Sequence, residues 1–207
     1  MMSVCIPLLV DSDDAFAVKW GQQAEGMLNP LTVLALSGSL RRASLNTAML
    51  TMATRCAPPG MSVTIFAGMG DLPLFNPDLE SREPSQVARL RTGIADADAL
   101  LIASPEYAHG VSGVMKNALD WMVASGVLMG KPVVLWNASP RASHAIAALR
   151  ETLAVMAARL VDAAGLELQV WHDTLGESVP NPDPAGMQRA LLAIKMDLRQ
   201  IGRPRRS

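Results

Sequence analysis

Ser39, Arg41, Ser44 and Asn46 place two hydroxyls, a guanidinium and an amide close together in the chain, the side-chain types that hold an anion. They fall between an apolar run at residues 31–36 and a segment where Leu45, Ala48, Met49 and Met52 recur at helical spacing. The run has the length and composition of a strand buried on both faces. It breaks at Ser37-Gly38-Ser39, and Ser44 stands where a helix N-cap sits. Strand, polar turn and helix start in succession make an anion site, because the first N–H groups of a helix are unpaired and carry partial positive charge. Gly38 permits the turn and Arg41 adds a full charge. The spacing excludes two nucleotide sites, since there is neither G-x-G-x-x-G nor G-x-x-x-x-G-K-[ST]. Hydroxyls and an arginine would hold the phosphate here, which suits a mononucleotide. Turns rich in Ser and Gly also occur in α/β proteins that bind nothing, so this stretch alone leaves both readings open.

A second stretch, residues 105–121, reads PEYAHGVSGVMKNALDW. A strand at 100–104 ends, a loop with Pro105, Tyr107 and two glycines follows, and a helix begins near Gly113. In a sheet of order 2-1-3-4-5 the first and third strands flank the switch point where loops diverge, so both stretches would line one crevice.

The elements that position them follow from periodicity. A second strand is predicted at 62–67, a loop at 68–84 and a second helix at 84–97, marked by Val87, Leu90, Arg91 and Ile94. The loop's Leu72-Pro73-Leu74-Phe75-Asn76 reads as a surface segment packing beside a ligand or a neighbouring subunit. A fourth strand is predicted at 133–136, ending in Asn137-Ala138-Ser139-Pro140. A long helix over 143–163 follows, with Leu149, Leu153, Met156, Leu160 and Val161 on one face and Gly165 as its cap. A fifth strand at 166–171, a loop at 176–184 and a final amphipathic helix at 185–201 complete the chain. Strands alternating with helices on this rhythm predict an α/β three-layer sandwich around a five-stranded parallel sheet. Residues 1–30 read as an extension outside the core, with Met27 as an alternative start, 31–202 as the single domain, and 203–207 as a basic tail.

Half of the residues are hydrophobic and the formal net charge is −1, which describes a globular chain able to bury a full core and gives no basic surplus for nucleic acid. No apolar run approaches the ~18 residues of a membrane span, and the run at 4–10 lacks the flanks of an export signal. Cys5 and Cys56 show neither metal-ligand nor redox spacing, so a reducing cytoplasm is the expected setting and no metal ligand is assigned.

GSLRRASLN at 38–46 followed by PEYAHGVSGVMKNALDW resembles the NADPH-dependent FMN reductase family, flavodoxin-like proteins that include flavin, quinone, azo-dye and chromate reductases. The resemblance spans residues 31–170. It implies a flavodoxin-like fold, bound FMN, NADPH as electron donor and a homodimer or homotetramer. The expected reaction passes a hydride from NADPH to FMN and then to a small acceptor: a quinone, azo compound, free flavin or metal oxyanion. By that similarity Ser39, Arg41, Ser44 and Asn46 hold the FMN phosphate. Pro105, Glu106 and Tyr107, with the backbone of Ala108 and His109, edge the isoalloxazine ring, and Ser139 lies on the third flavin loop. Where the family has Asn after P-E-Y, this chain has Ala108 and then His109. Its third loop, residues 139–144, lacks the family's glycines and carries Arg141, which with Arg41 is a candidate contact for a pyridine nucleotide phosphate.

Hydride transfer demands no acid or base, because the flavin carries the chemistry, so no catalytic side chain is assigned. Lys116 and Asp120 are expected to pair at i, i+4 on the third helix. By the resemblance that helix meets a second subunit, which makes Trp121 and Met122 interface candidates. Another function class is an FMN electron carrier for a protein partner. Such shuttles are acidic around the flavin, whereas this chain is near neutral with arginines beside the phosphate turn. A serine hydrolase built on Ser39 lacks a positioned His and Asp, and a phosphoacceptor domain lacks clustered aspartates.

Overall fold

A computed structural model describes residues 30–139, 143–167, 170–172, 178–180 and 184–201. Residues 1–29 of the proposed extension, Arg141 and the basic tail lie outside the described residues. Four long parallel strands form the centre: β1 (Leu31–Ser37), β2 (Met61–Ile65), β3 (Ala99–Ala103) and, after the short pair β4 (Glu106–Tyr107) and β5 (Gly110–Val111), β6 (Pro132–Asn137). Their order is β2-β1-β3-β6, with β7 (Arg159–Leu160) at the edge, the flavodoxin-like arrangement that the alternation of elements predicts.

Side chains alternate across this sheet and build a core on each face. On one face Val33, Ala35, Leu101, Ala103, Val134 and Trp136 pack on α1 (Leu45–Cys56) and the last helix, α5 (Pro184–Ile201). On the other, Leu34, Leu36, Leu100, Ile102 and Val133 pack on α2 (Ser85–Asp96), α3 (Gly113–Val123) and α4 (Ser143–Val155). Two buried faces explain why the strands read as continuous apolar runs. Among the described residues no helix is long and apolar enough to cross a membrane.

The departures from expectation cluster after β6. The long helix stops at Val155, well short of residue 163, and the chain turns at Ala157 with φ of 54°. Ala157 N–H bonds Ala154 O at 2.9 Å and Ala158 N–H bonds Leu153 O at 2.9 Å, a complete Schellman stop with alanine where glycine is usual. Gly165 instead ends the 3₁₀ turn Asp162–Ala164, with φ of −61°. The fifth sheet position is divided: β7 pairs with Pro132 and Val133, and β8 (Leu166–Glu167) pairs with Trp136 and Asn137. Residues 170 and 171, expected to continue that strand, fall instead in β9 (Val170–His172), which pairs antiparallel with β10 (Ser178–Pro180), a stretch expected as loop.

Trp121 and Met122 are corrected as well. Both are buried within this chain, Trp121 at 5% exposure. The Trp121 indole donates to Pro73 O at 2.8 Å and meets Phe75 edge to face at 5.1 Å. Asn117 holds the same segment from both ends, accepting Phe75 N–H at 2.7 Å and donating to Pro73 O at 3.0 Å. The 72–76 segment is therefore fastened to α3 while Leu74 points outward. Lys116 and Asp120 pair as expected.

Candidate functional site

The loops after β1, β3 and β6 gather at the carboxyl ends of neighbouring strands, where an open parallel sheet leaves its crevice. The first is built by local capping. Ser44 accepts Thr47 N–H at 3.2 Å and starts α1, whose first turn holds no acidic residue. Ser37 shares a hydrogen bond with Thr47 Oγ1 at 2.8 Å, and Ser39 accepts Arg41 N–H at 3.3 Å, which curls the turn back on itself. Arg41 is exposed at the rim.

Asn46 carries an unusual burden. It is only 8% exposed, and its Oδ1 is buried without a hydrogen-bond partner. An orphaned buried oxygen of this kind costs about 1–3 kcal/mol. A ligand bearing hydroxyl donors beside its phosphate would satisfy it.

The second loop is welded to the first. Gly38 N–H bonds Ala103 O at 2.8 Å, Ser112 donates to Gly38 O at 2.7 Å, and Ser104 and Ser112 share a bond of 3.2 Å. A Cβ on Gly38 would lie 2.3 Å from Ser104 Oγ, so close approach rather than an unusual φ requires glycine there. Ser104 and Ser112 were not among the expected site residues. Ser112 immediately before a helical run is an N-cap signal, and it does cap α3, accepting Met115 N–H at 3.3 Å. Neither α1 nor α3 carries a carboxylate in its first turn, which leaves the partial positive charge of both helix starts unopposed from within.

Tyr107, Ala108, His109 and Gly110 make a tight hairpin. Tyr107 pairs with Gly110, and Ala108 and His109 take φ of 49° and 59°, the two left-handed positions of a type I′ turn. Asparagine suits such a position better than alanine, so the Ala108 departure is strained. Tyr107 is 58% exposed and Pro105 half-buried. The Glu106 carboxylate turns away to accept Ala145 N–H at 2.9 Å, occupying the start of α4. Its side chain is thereby committed to joining the second and third loops. Ser139 is half-buried, and its N–H bonds Asn137 Oδ1 at 3.0 Å. His144 lies in the first turn of α4 and stacks on His109.

The structure therefore brings Ser39, Arg41, Ser44 and Asn46 together on one turn, with Pro105 to His109 on the adjoining loop. Fold and crevice define a flavodoxin-like α/β protein. Residues 31–173, well over half of the chain, match the profile of the NADPH-dependent FMN reductase family, and the chain belongs to that family. An NAD(P)H-dependent FMN reductase of Pseudomonas aeruginosa is 42% identical over 116 residues, 55% of this chain and 62% of that protein. A quinone reductase of Escherichia coli strain K12 is 36% identical over 117 residues, with the same 55% and 62% coverage. The chain thus spans a little under two-thirds of the length of these relatives. Among solved structures, FerB, a flavoenzyme NAD(P)H:(acceptor) oxidoreductase from Paracoccus denitrificans, matches with TM-score 0.70 at 27% identity, over 84% of this chain and 100% of that one. An archaeal flavodoxin matches with TM-score 0.56 at 13% identity, over 82% and 99% of the two chains, and shares the fold.

Proposed function

We propose that this chain is an NADPH-dependent FMN reductase whose crevice holds one FMN and serves a small acceptor, with a quinone as the first choice. The observation that carries the reading is the buried, partnerless Asn46 Oδ1 beside an α1 start free of acidic residues. FMN supplies both chemistries at once: ribityl hydroxyls that donate, and a phosphate that accepts. Ser39 and Ser44 would offer hydroxyls to the phosphate and Arg41 its charge, while Asn46 would receive a ribityl hydroxyl. Pro105, Glu106 and Tyr107, with the backbone of Ala108 and His109, would edge the ring, and Ser139 would close the third side.

When bound, FMN would supply the hydride and electron chemistry of the reaction. The chain's own part is to fix the ring and leave one face open. In this reading the exposed Tyr107 and its strained hairpin would border that opening. No acid or base is needed from the protein. Cytoplasmic location and a homodimer or homotetramer belong to the same proposal, the latter supported by exposed Leu74, Val123 and Met129 on and beside α3.

Steady-state oxidation of NADPH by the purified chain, with and without a quinone, tests the reading. Rapid turnover that rises with quinone supports it. A chain that holds FMN yet oxidises NADPH only through an added protein partner would be an electron carrier instead.

A further inference from the structure

The imidazoles of His109 and His144 stack with centroids 4.3 Å apart and planes 14° from parallel. They come from different elements, the β4–β5 hairpin and the first turn of α4. Glu106 completes the group: one potential ligand atom from each of the three residues lies within 4.8 Å of the other two. We propose that Glu106, His109 and His144 form a site for a divalent transition cation of the zinc type, bridging the hairpin and α4 at the rim of the crevice.

The donor set decides the class of ion. Two imidazole nitrogens and one carboxylate oxygen suit zinc and its neighbours, with the fourth position left to water, whereas magnesium and calcium prefer all-oxygen shells. Zinc–nitrogen bonds of about 2.0–2.1 Å put tetrahedral ligand atoms roughly 3.3 Å apart. Both imidazoles are exposed, so no packed core pins either ring in its present rotamer.

The carboxylate is already oriented. Glu106 Oε2 accepts Ala145 N–H at 2.9 Å, which leaves Oε1 for the ion and supplies the outer hydrogen bond that metal ligands ordinarily have. The ring-edge role proposed for residues 108 and 109 uses backbone, so the His109 side chain is available for a second task. No sequence spacing announces this site, because His109 and His144 meet only through the packing of α4 on the hairpin.

Calorimetric titration of Zn2+ into the purified chain, in a buffer that does not chelate metal, tests the proposal. The expected result is one saturable Zn2+ per chain. Binding should weaken at least roughly tenfold in His109→Asn and again in His144→Ala. Asparagine keeps the left-handed backbone comfortable, and both sites are exposed, so each variant should fold. His172→Ala, the third histidine of the chain, should bind as the parent does. Saturating Zn2+ should also raise the melting temperature of the parent and leave that of the two variants in place. No saturable binding, binding undiminished in both variants, or loss only in His172→Ala overturns the proposal. FMN content measured on the same samples separates this outcome from the reductase reading.

Discussion

Ser112 donates its hydroxyl to the Gly38 carbonyl at 2.7 Å and so ties together two loops 74 positions apart in the chain. The same oxygen accepts Met115 N–H at 3.3 Å, so one buried side chain caps a helix and fixes the spacing of the crevice walls. Ser112→Ala should lose the cap, worth about 1 kcal/mol, and leave Gly38 O without this partner, worth about 1 kcal/mol more. A loss of about 2 kcal/mol in urea unfolding, with weaker FMN binding, is the expected outcome.

Asn46 and Arg41 separate stability from binding. Asn46→Ala removes a buried oxygen that has no partner in the free chain, so stability without flavin should hold or rise. FMN affinity should fall about tenfold, equivalent to about 1.4 kcal/mol. Arg41→Ala, at an exposed position, should leave stability unchanged and weaken FMN binding most at low salt. Equilibrium titration of FMN at two ionic strengths reads both effects.

Two alanines sit in left-handed backbone that glycine or asparagine adopts more readily: Ala108 at φ 49° and Ala157 at φ 54°. Ala157→Gly, on the exposed end of α4, should stabilise by roughly 0.5–1 kcal/mol after the larger unfolded-state entropy of glycine is counted. Ala108→Asn should stabilise the hairpin in the same sense. Thermal melts of the single variants and the pair should show the two effects adding.

How much of this was legible in the sequence depended on how local the cause was. The strand at 31–36, the polar turn after it and the Ser44 cap are contiguous, so residue types and spacing reveal them. The end of α4 was hidden because Ala157, not glycine, makes the left-handed stop, and because Leu160 and Val161 continue the helical spacing while actually forming and following an edge strand. Trp121 and Met122 read as interface by family resemblance, yet the 72–76 segment folds back over Trp121 and buries it. The Glu106–Ala145 bond and the His109–His144 stack arise only once α4 packs on the hairpin, and nothing local marks them.

Acid should loosen one surface tie. Glu83 accepts two bonds from Arg91, each 2.9 Å, and the hydrogen bond from Arg91 holds its carboxyl below the ordinary value. A depressed folded-state value means that the contribution is full above the unfolded carboxylate value of about 4.3, and is lost as pH falls through the folded value. Because the pair is partly exposed, its worth is at most about 1 kcal/mol. Glu83→Gln should therefore be slightly less stable than the parent at neutral pH, with the gap closing in acid.

The central claim is that the turn at 38–46 and the loop at 104–112 together hold one flavin mononucleotide. Releasing and quantifying the flavin from purified protein after FMN loading and desalting tests it most directly. A yellow protein carrying one FMN per chain is the expected result. A colourless protein that stays colourless after that treatment would contradict it.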